Sequence, residues 1–127
     1  MSLDEISFAV RGCIFEVYRE LGPGLLESVY EKALAHEIRL AGLSARTQVP
    51  LPVVYKDKLL DLGFRIDLLV EDALVVEVKS VEILNPVHKK QVLTYLRLAE
   101  RKLGILVNFN VARLEDKQSI VRIVNGY

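Results

Sequence analysis

Asp67, Glu77 and Lys79 are the residues whose types and spacing can do chemistry. They lie in residues 64–80, FRIDLLVEDALVVEVKS, where two Val/Leu/Ile-rich runs are separated by Glu71-Asp72. Runs of this length and composition suit buried strands, and the acidic break suits a tight turn, so the stretch is expected to form a β-hairpin. Residues two apart in a strand share a face, which sets Glu77 and Lys79 on one side and Val76 and Val78 on the other. Charges inside a strand that is apolar on both faces are costly unless paired or bound to an ion. A Glu77–Lys79 ion pair on an exposed face, contributing roughly 0–1 kcal/mol, accounts for two of the three residues. Asp67, on the partner strand, changes the balance. Two carboxylates about 4 Å apart repel by roughly 4 kcal/mol at an effective dielectric near 20. One lysine does not neutralise both. A divalent cation does, and ligands made of oxygen alone favour Mg²⁺ or Mn²⁺ over zinc.

These three side chains need elements to hold them. Residues 4–21 read as a helix, with Ile6, Val10, Cys13, Val17 and Leu21 at spacings of three and four and Ser2 or Asp4 as cap. Gly22-Pro23-Gly24 breaks the chain, and residues 25–40 read as a second helix that ends at Ala41-Gly42. Its apolar stripe is Leu26, Val29, Tyr30, Ala33, Leu34 and Ile38. Residues 44–55 carry Val49, Leu51, Val53 and Tyr55 in alternation, a strand that Pro50 and Pro52 confine to an edge or make irregular. Lys56-Asp57-Lys58 is a turn, and residues 59–62 lead into the strand of Asp67 with Gly63 as a bulge. Asn85-Pro86 opens a helix to about Lys102, with Val92, Leu96, Ala99 and Leu103 as its core face. Residues 104–109 and 119–124 are further strands. The order α-α-β-β-β-α-β-β makes an α/β protein, a mixed β-sheet flanked by helices, in one domain spanning residues 1–127.

Several other polar residues stand beside apolar stripes. Glu27 opens the second helix after a glycine turn, three residues before Tyr30 and on the same side. A carboxylate near a helix N-terminus is favoured by the macrodipole at roughly 0.3–1 kcal/mol, which explains a Glu there but not its place beside the stripe. Gln91 and Tyr95 are four apart and share a face, as an amphipathic boundary pair does. Lys90, Arg97 and Arg101 recur at seven and four, either a solvated helix face or a face that contacts phosphate. His88 is an exposed polar residue with no metal role.

Asp67, then nine residues, then Glu77-Val78-Lys79 resembles the signature of the PD-(D/E)xK, restriction-endonuclease-like nuclease superfamily. Gly24-Leu25-Leu26-Glu27-Ser28-Val29-Tyr30 fits G-x-x-E-x-x-Y, the motif of the GxxExxY proteins within it. Gln91 to Tyr95 fits Q-x-x-x-Y, which follows the E-x-K strand in RecB-like nucleases. All three motifs fall in the family's order, and the resemblance runs from about Gly22 to the end of the chain. Ile66 stands where the signature has proline, a tolerated variation.

The resemblance implies a restriction-endonuclease-like core and metal-dependent hydrolysis of nucleic-acid phosphodiesters, DNA in the first place. It implies that Asp67 and Glu77 hold Mg²⁺ or Mn²⁺, that Glu27 adds a ligand or holds one of the ion's waters, and that the Val78 carbonyl supplies another oxygen. Lys79 lies among carboxylates, which favours its charged form, so it is expected to stabilise charge on the phosphate rather than act as a base. Gln91 and Tyr95 are implied to shape the site or touch substrate backbone, with Lys90 and Arg97 on phosphate; Tyr30 is expected to pack with its hydroxyl bonded to a neighbour.

Composition bounds these readings. With 51% hydrophobic and 27% charged residues the chain is an ordinary globular protein, and 127 residues suffice for a core. No apolar run approaches the roughly 20 residues that span a bilayer, and the start MSLDEISFAV lacks a signal peptide's pattern. The single cysteine, Cys13, excludes an intrachain disulfide framework; a reducing cytoplasm is the expected compartment, with Cys13 as a core filler. One Cys and two distant His leave no zinc site. The zero formal net charge counts against a clamp for long duplex DNA. So short a chain leaves little room for target recognition, which points to low sequence specificity or to a homodimer or protein partner that supplies it. Two other classes remain open: a non-catalytic nucleic-acid or protein-binding module on the same fold, and a Mg²⁺-dependent phosphatase of small esters.

Overall fold

A computed structural model describes all of residues 1–127. Helix α1, Leu3–Leu21, begins with a capping box: the Ser2 hydroxyl accepts from Glu5 N–H at 3.1 Å and Glu5 Oε1 accepts from Ser2 N–H at 3.0 Å. Ile6, Val10, Cys13, Ile14 and Val17 line its buried stripe, whereas Leu21, expected there, is exposed. Burial pushes the Cys13 thiol up, as suits a core filler. Helix α2, Glu27–Leu40, starts two residues later than expected. Gly22 and Gly24, both with positive φ, carry the chain through a bend into an extended Leu26 first. Tyr30, Leu34, Ala35 and Ile38 are its buried residues; Leu26 and Val29 are exposed because the first turn projects past the core.

The main sheet holds five strands in the order β1-β4-β5-β6-β7: β1 Ala45–Pro50, β4 Arg65–Val70, β5 Leu74–Lys79, β6 Leu103–Asn108 and β7 Ile120–Val124. Only β5–β6 is parallel, joined by the crossover helix α3, Pro86–Ala99. The expected β4–β5 hairpin forms, with Glu71 and Asp72 both at φ near 52° as a tight right-twisted hairpin turn needs. Asp72 is held from both sides by Arg46 (3.1 Å) and Arg101 (2.9 Å). Arg101 therefore does not extend a basic stripe: α3 ends at Ala99, Glu100 takes a left-handed conformation, and Arg101 turns back onto the hairpin.

The expected strand over residues 44–55 is interrupted after Pro50. Val53–Tyr55 (β2) and Lys58–Leu60 (β3) form a separate two-stranded hairpin inserted between β1 and β4, and Gly63 lies in the following loop rather than in a bulge. Pro50 and Pro52 explain the break, since proline offers no N–H to continue a ladder.

Strand alternation sorts the core into two layers. Leu68, Val70, Leu74, Val76, Val78, Ile105 and Val107 pack under α1 and α2. Leu69, Val75 and Leu106 pack under Val92 and Leu96 of α3. Gly104 marks the closest approach of α3, where an added Cβ would meet Val92 Cγ1 at 2.9 Å and Leu96 Cδ1 at 3.4 Å. Gly104→Ala is therefore expected to cost about 1–3 kcal/mol by overpacking, read as a lower urea midpoint at unchanged slope.

Candidate active site

The β4–β5 ladder is regular from Val70↔Leu74 to Leu68↔Val76 and then opens. Two carboxylates take over where backbone pairing stops. Asp67 N–H donates to Glu77 Oε1 at 3.1 Å, and Val78 N–H donates to Asp67 Oδ2 at 2.9 Å. Each acid satisfies an amide of the opposite strand, which fixes both carboxyl groups at the mouth of the opening. Glu77 is only 3% exposed. Burial, and next the Asp67 charge, push its carboxyl up to about 9. Burial likewise raises the Tyr95 phenol, with Glu77 and Asp67 adding to it.

Lys79 shares the face of Glu77, as strand parity requires, but makes no ion pair with it. Its Nζ instead donates to Gln91 Oε1 at 3.4 Å, and Gln91 Nε2 donates to the Tyr95 hydroxyl at 3.1 Å. The Glu77–Lys79 salt bridge that would have made these residues unremarkable is not formed, and Glu77 stays buried without a cation. Gln91 and Tyr95 of α3 do meet Lys79. Lys90 is exposed on the adjoining turn, and Arg97 is exposed two turns further on.

Glu27 comes to the end of β5 from the other side of the sheet. Its Oε2 accepts from Ser80 N–H at 3.0 Å, one residue beyond Lys79, and the Ser80 hydroxyl donates to the Leu25 carbonyl at 2.6 Å. Tyr30 fastens the loop before it: its hydroxyl donates to the Gly22 carbonyl at 2.5 Å and accepts from Leu25 N–H at 3.2 Å, while its ring stacks on Phe109 at 4.4 Å. Tyr30→Phe keeps the stack and loses both hydrogen bonds, so a loss of roughly 1 kcal/mol is expected in urea denaturation.

Two residues join the site that sequence reasoning did not single out. Gln48 Nε2 donates to Glu31 Oε1 at 2.7 Å and to Asp67 Oδ1 at 3.3 Å. Gln48 lies opposite Asp67, where the β1–β4 register omits a pair, and its φ of 51° is rare for a residue with a side chain. Burial, then the Asp67 charge, raise the Glu31 carboxyl despite the Gln48 hydrogen bond. Glu31 lies one helical turn after Glu27, which is the only sign of it in the sequence.

No three acidic, His or Cys side chains converge as a ready metal cluster. The acidic pair of Asp67 and Glu77 is joined by one backbone oxygen. Lys79 C=O accepts from the N–H of Phe109, the residue just after β6, so the Val78 carbonyl one residue earlier faces the β4 side where Asp67 lies. Two carboxylates and a carbonyl are a hard, all-oxygen donor set that leaves room for water, which fits Mg²⁺ or Mn²⁺ and not zinc. A larger cavity, about 740 Å³, opens around Asn108, but the Asn108 amide is already bound to both backbone groups of Val81.

No curated protein and no solved structure matches the chain. No helix is long and apolar enough to cross a membrane. The sequence profile of the PD-(D/E)XK nuclease superfamily matches residues 4–123, from the first turn of α1 into β7. That match covers nearly the whole of a mixed sheet flanked by helices, and the chain belongs to the PD-(D/E)XK nuclease superfamily.

Proposed function

We propose that the protein is a metal-dependent nuclease that hydrolyses phosphodiester bonds of nucleic acid, DNA in the first place, and that Gly24, Glu27 and Tyr30 place it among the GxxExxY proteins of the superfamily. The observation that carries the reading is the buried, unpaired Glu77 beside Asp67 with Lys79 on the same face. A bound Mg²⁺ or Mn²⁺ supplies Lewis-acid stabilisation of phosphoryl charge and a more acidic water. Asp67, Glu77 and the Val78 carbonyl would hold it, with Glu77 losing its proton on binding. Glu27, whose Oε2 accepts from Ser80 N–H, would add a ligand or hold one of the ion's waters. Gln91 holds Lys79 Nζ, and the ammonium stabilises the phosphate as negative charge builds on its oxygens. Lys90 and Arg97 contact backbone phosphates nearby. The compartment is the cytoplasm, and a homodimer or a protein partner supplies specificity.

The test is cleavage of a panel of single-stranded, duplex, nicked and branched DNA and RNA, with p-nitrophenyl phosphate alongside, in Mn²⁺ or EDTA. Wild type and Asp67→Ala are purified side by side. Mn²⁺-dependent cutting that the variant lacks is the expected result. Turnover of the small ester alone would replace the nuclease with a phosphatase. A second reading, a non-catalytic binding module, is favoured by the absence of a third converging acid. It predicts nucleic-acid binding with no cutting by either protein.

A further inference from the structure

A cavity of about 570 Å³ opens directly beside Lys79, between the end of the loop before β4 and the first turns of α3. Phe64 forms one wall. It is 38% exposed, stands three residues before Asp67, and lies tilted against Tyr95 at 6.1 Å. Its backbone is not free to drift, because the Phe64 carbonyl accepts from Leu51 N–H at 2.9 Å. Thr94 and Gln91 give the opposite wall polar groups, and Lys90 stands at the rim. An aromatic face left open in a cavity that Lys79 also lines is unexplained by core packing.

Charge narrows the occupant. Helix α3 carries Lys89, Lys90 and Arg97 and no acidic residue, and none of the three cations is in an ion pair. The whole chain has zero formal charge, so this cationic patch is local. A neutral protein gains little from phosphate contacts alone, whereas base–aromatic stacking contributes sequence-tolerant affinity. A base reaches an aromatic face only when it is out of its own stack.

We infer that the Phe64 cavity holds an unpaired nucleobase of the strand whose phosphate lies at Lys79, which makes the substrate single-stranded or locally unpaired nucleic acid. The inference rests on the nuclease reading for the position of the phosphate. The ring of Phe64 stacks on the base, Thr94 and Gln91 meet its polar edge, and Lys90 takes a neighbouring phosphate.

The chain has no tryptophan, so Phe64→Trp places a single tryptophan, excited selectively over the tyrosines, in the wall of the cavity. Titration in EDTA, where no turnover occurs, uses oligothymidylate, oligouridylate and a blunt-ended DNA duplex of two complementary strands with no loop. The expected result is quenching by one or both single strands and none by the duplex. Phe64→Ala, checked for a retained cooperative melt, is expected to bind the same strand about ten- to a hundredfold more weakly, as removal of one stacked base predicts. Equal quenching by duplex and single strand, or no quenching by any probe, overturns the inference. Failure of hydrolysis is read separately: strand-selective quenching from a protein that cuts nothing keeps the base site and sinks the nuclease. Cutting of duplex without quenching keeps the nuclease and sinks the base site.

Discussion

Lys79→Ala slows Mn²⁺-dependent cleavage by about 10²–10³-fold and leaves the melting temperature almost unchanged. The two halves of this expectation come from different facts. Lys79 makes one long hydrogen bond to Gln91 and no ion pair, so its removal leaves no buried partner stranded. Such a substitution costs little stability. The same ammonium is the cation of β5 on the face of the carboxylates, where the proposed reaction would build charge on phosphate. Loss of one preorganised stabiliser of that kind lowers kcat by about 10²–10³-fold. Asp67→Ala and Glu77→Ala are expected to be at least as inactive, since each would remove a proposed holder of the ion. Asp67→Ala also strands Val78 N–H at the strand opening and is expected to cost some stability. The checks are single-turnover cleavage and thermal melts on the same preparations. If Lys79→Ala unfolds the protein, or melts well below wild type while cutting normally, the lysine is a structural residue and the nuclease reading loses its electrostatic element.

The second large effect concerns the buried acid itself. In metal-free buffer the wild type is expected to lose stability steadily as pH rises from 5 to 9. The Glu77 carboxyl titrates near 9 in the fold against about 4.5 when exposed. Below pH 4.5 it is protonated in both states and does not bias folding. Above that, the unfolded chain releases the proton and the folded chain retains it, so stability falls with pH until the folded group titrates. The full shift is on the order of several kcal/mol, which for a domain of this size is about 10 °C or more in melting temperature. Glu77→Gln removes the titration and lets an amide N–H donate to Asp67, so the variant melts higher than wild type at pH 8 with a much flatter profile. Saturating Mn²⁺ at pH 8 restores the wild type, not the variant, and releases about one proton, measurable as a buffer-dependent binding enthalpy. A flat metal-free profile in the wild type would mean that Glu77 is ionised in the fold and already satisfied.

Much of this protein is legible in local pattern. Most of the 3.6-residue stripes of α1 and α3, the Gly22-Pro23-Gly24 break, the Asn85-Pro86 start and the β4–β5 hairpin appear where hydrophobic period and turn chemistry put them, although Leu21 is exposed and Leu103, expected on the α3 core face, opens β6. The common face of Glu77 and Lys79 follows from strand parity alone. Errors gather where packing overrides pattern. Leu26 and Val29 fit the α2 stripe but fall beyond the core it packs against. Arg101 fits the spacing of a basic face but lies past the helix end, drawn to Asp72. Residues 53–60 alternate like sheet strands yet pair only with each other.

The sequence by itself determined most of the elements, the mixed sheet flanked by helices and the placing of Asp67, Glu77 and Lys79 on one hairpin, because each is set by residues near one another in the chain or by a short motif. Tertiary structure alone decided how those groups are wired. The opening of the β4–β5 ladder turns Asp67 and Glu77 into each other's backbone partners, and helix α3 takes Lys79 away from Glu77. Gln48, in a left-handed conformation, ties Asp67 to Glu31, and Phe64 is left facing an open cavity. The physical reason is the same in each case. A hydrogen-bond partner, a desolvated carboxyl or an exposed ring depends on what packs there from distant parts of the chain, and neither periodicity nor spacing carries that information.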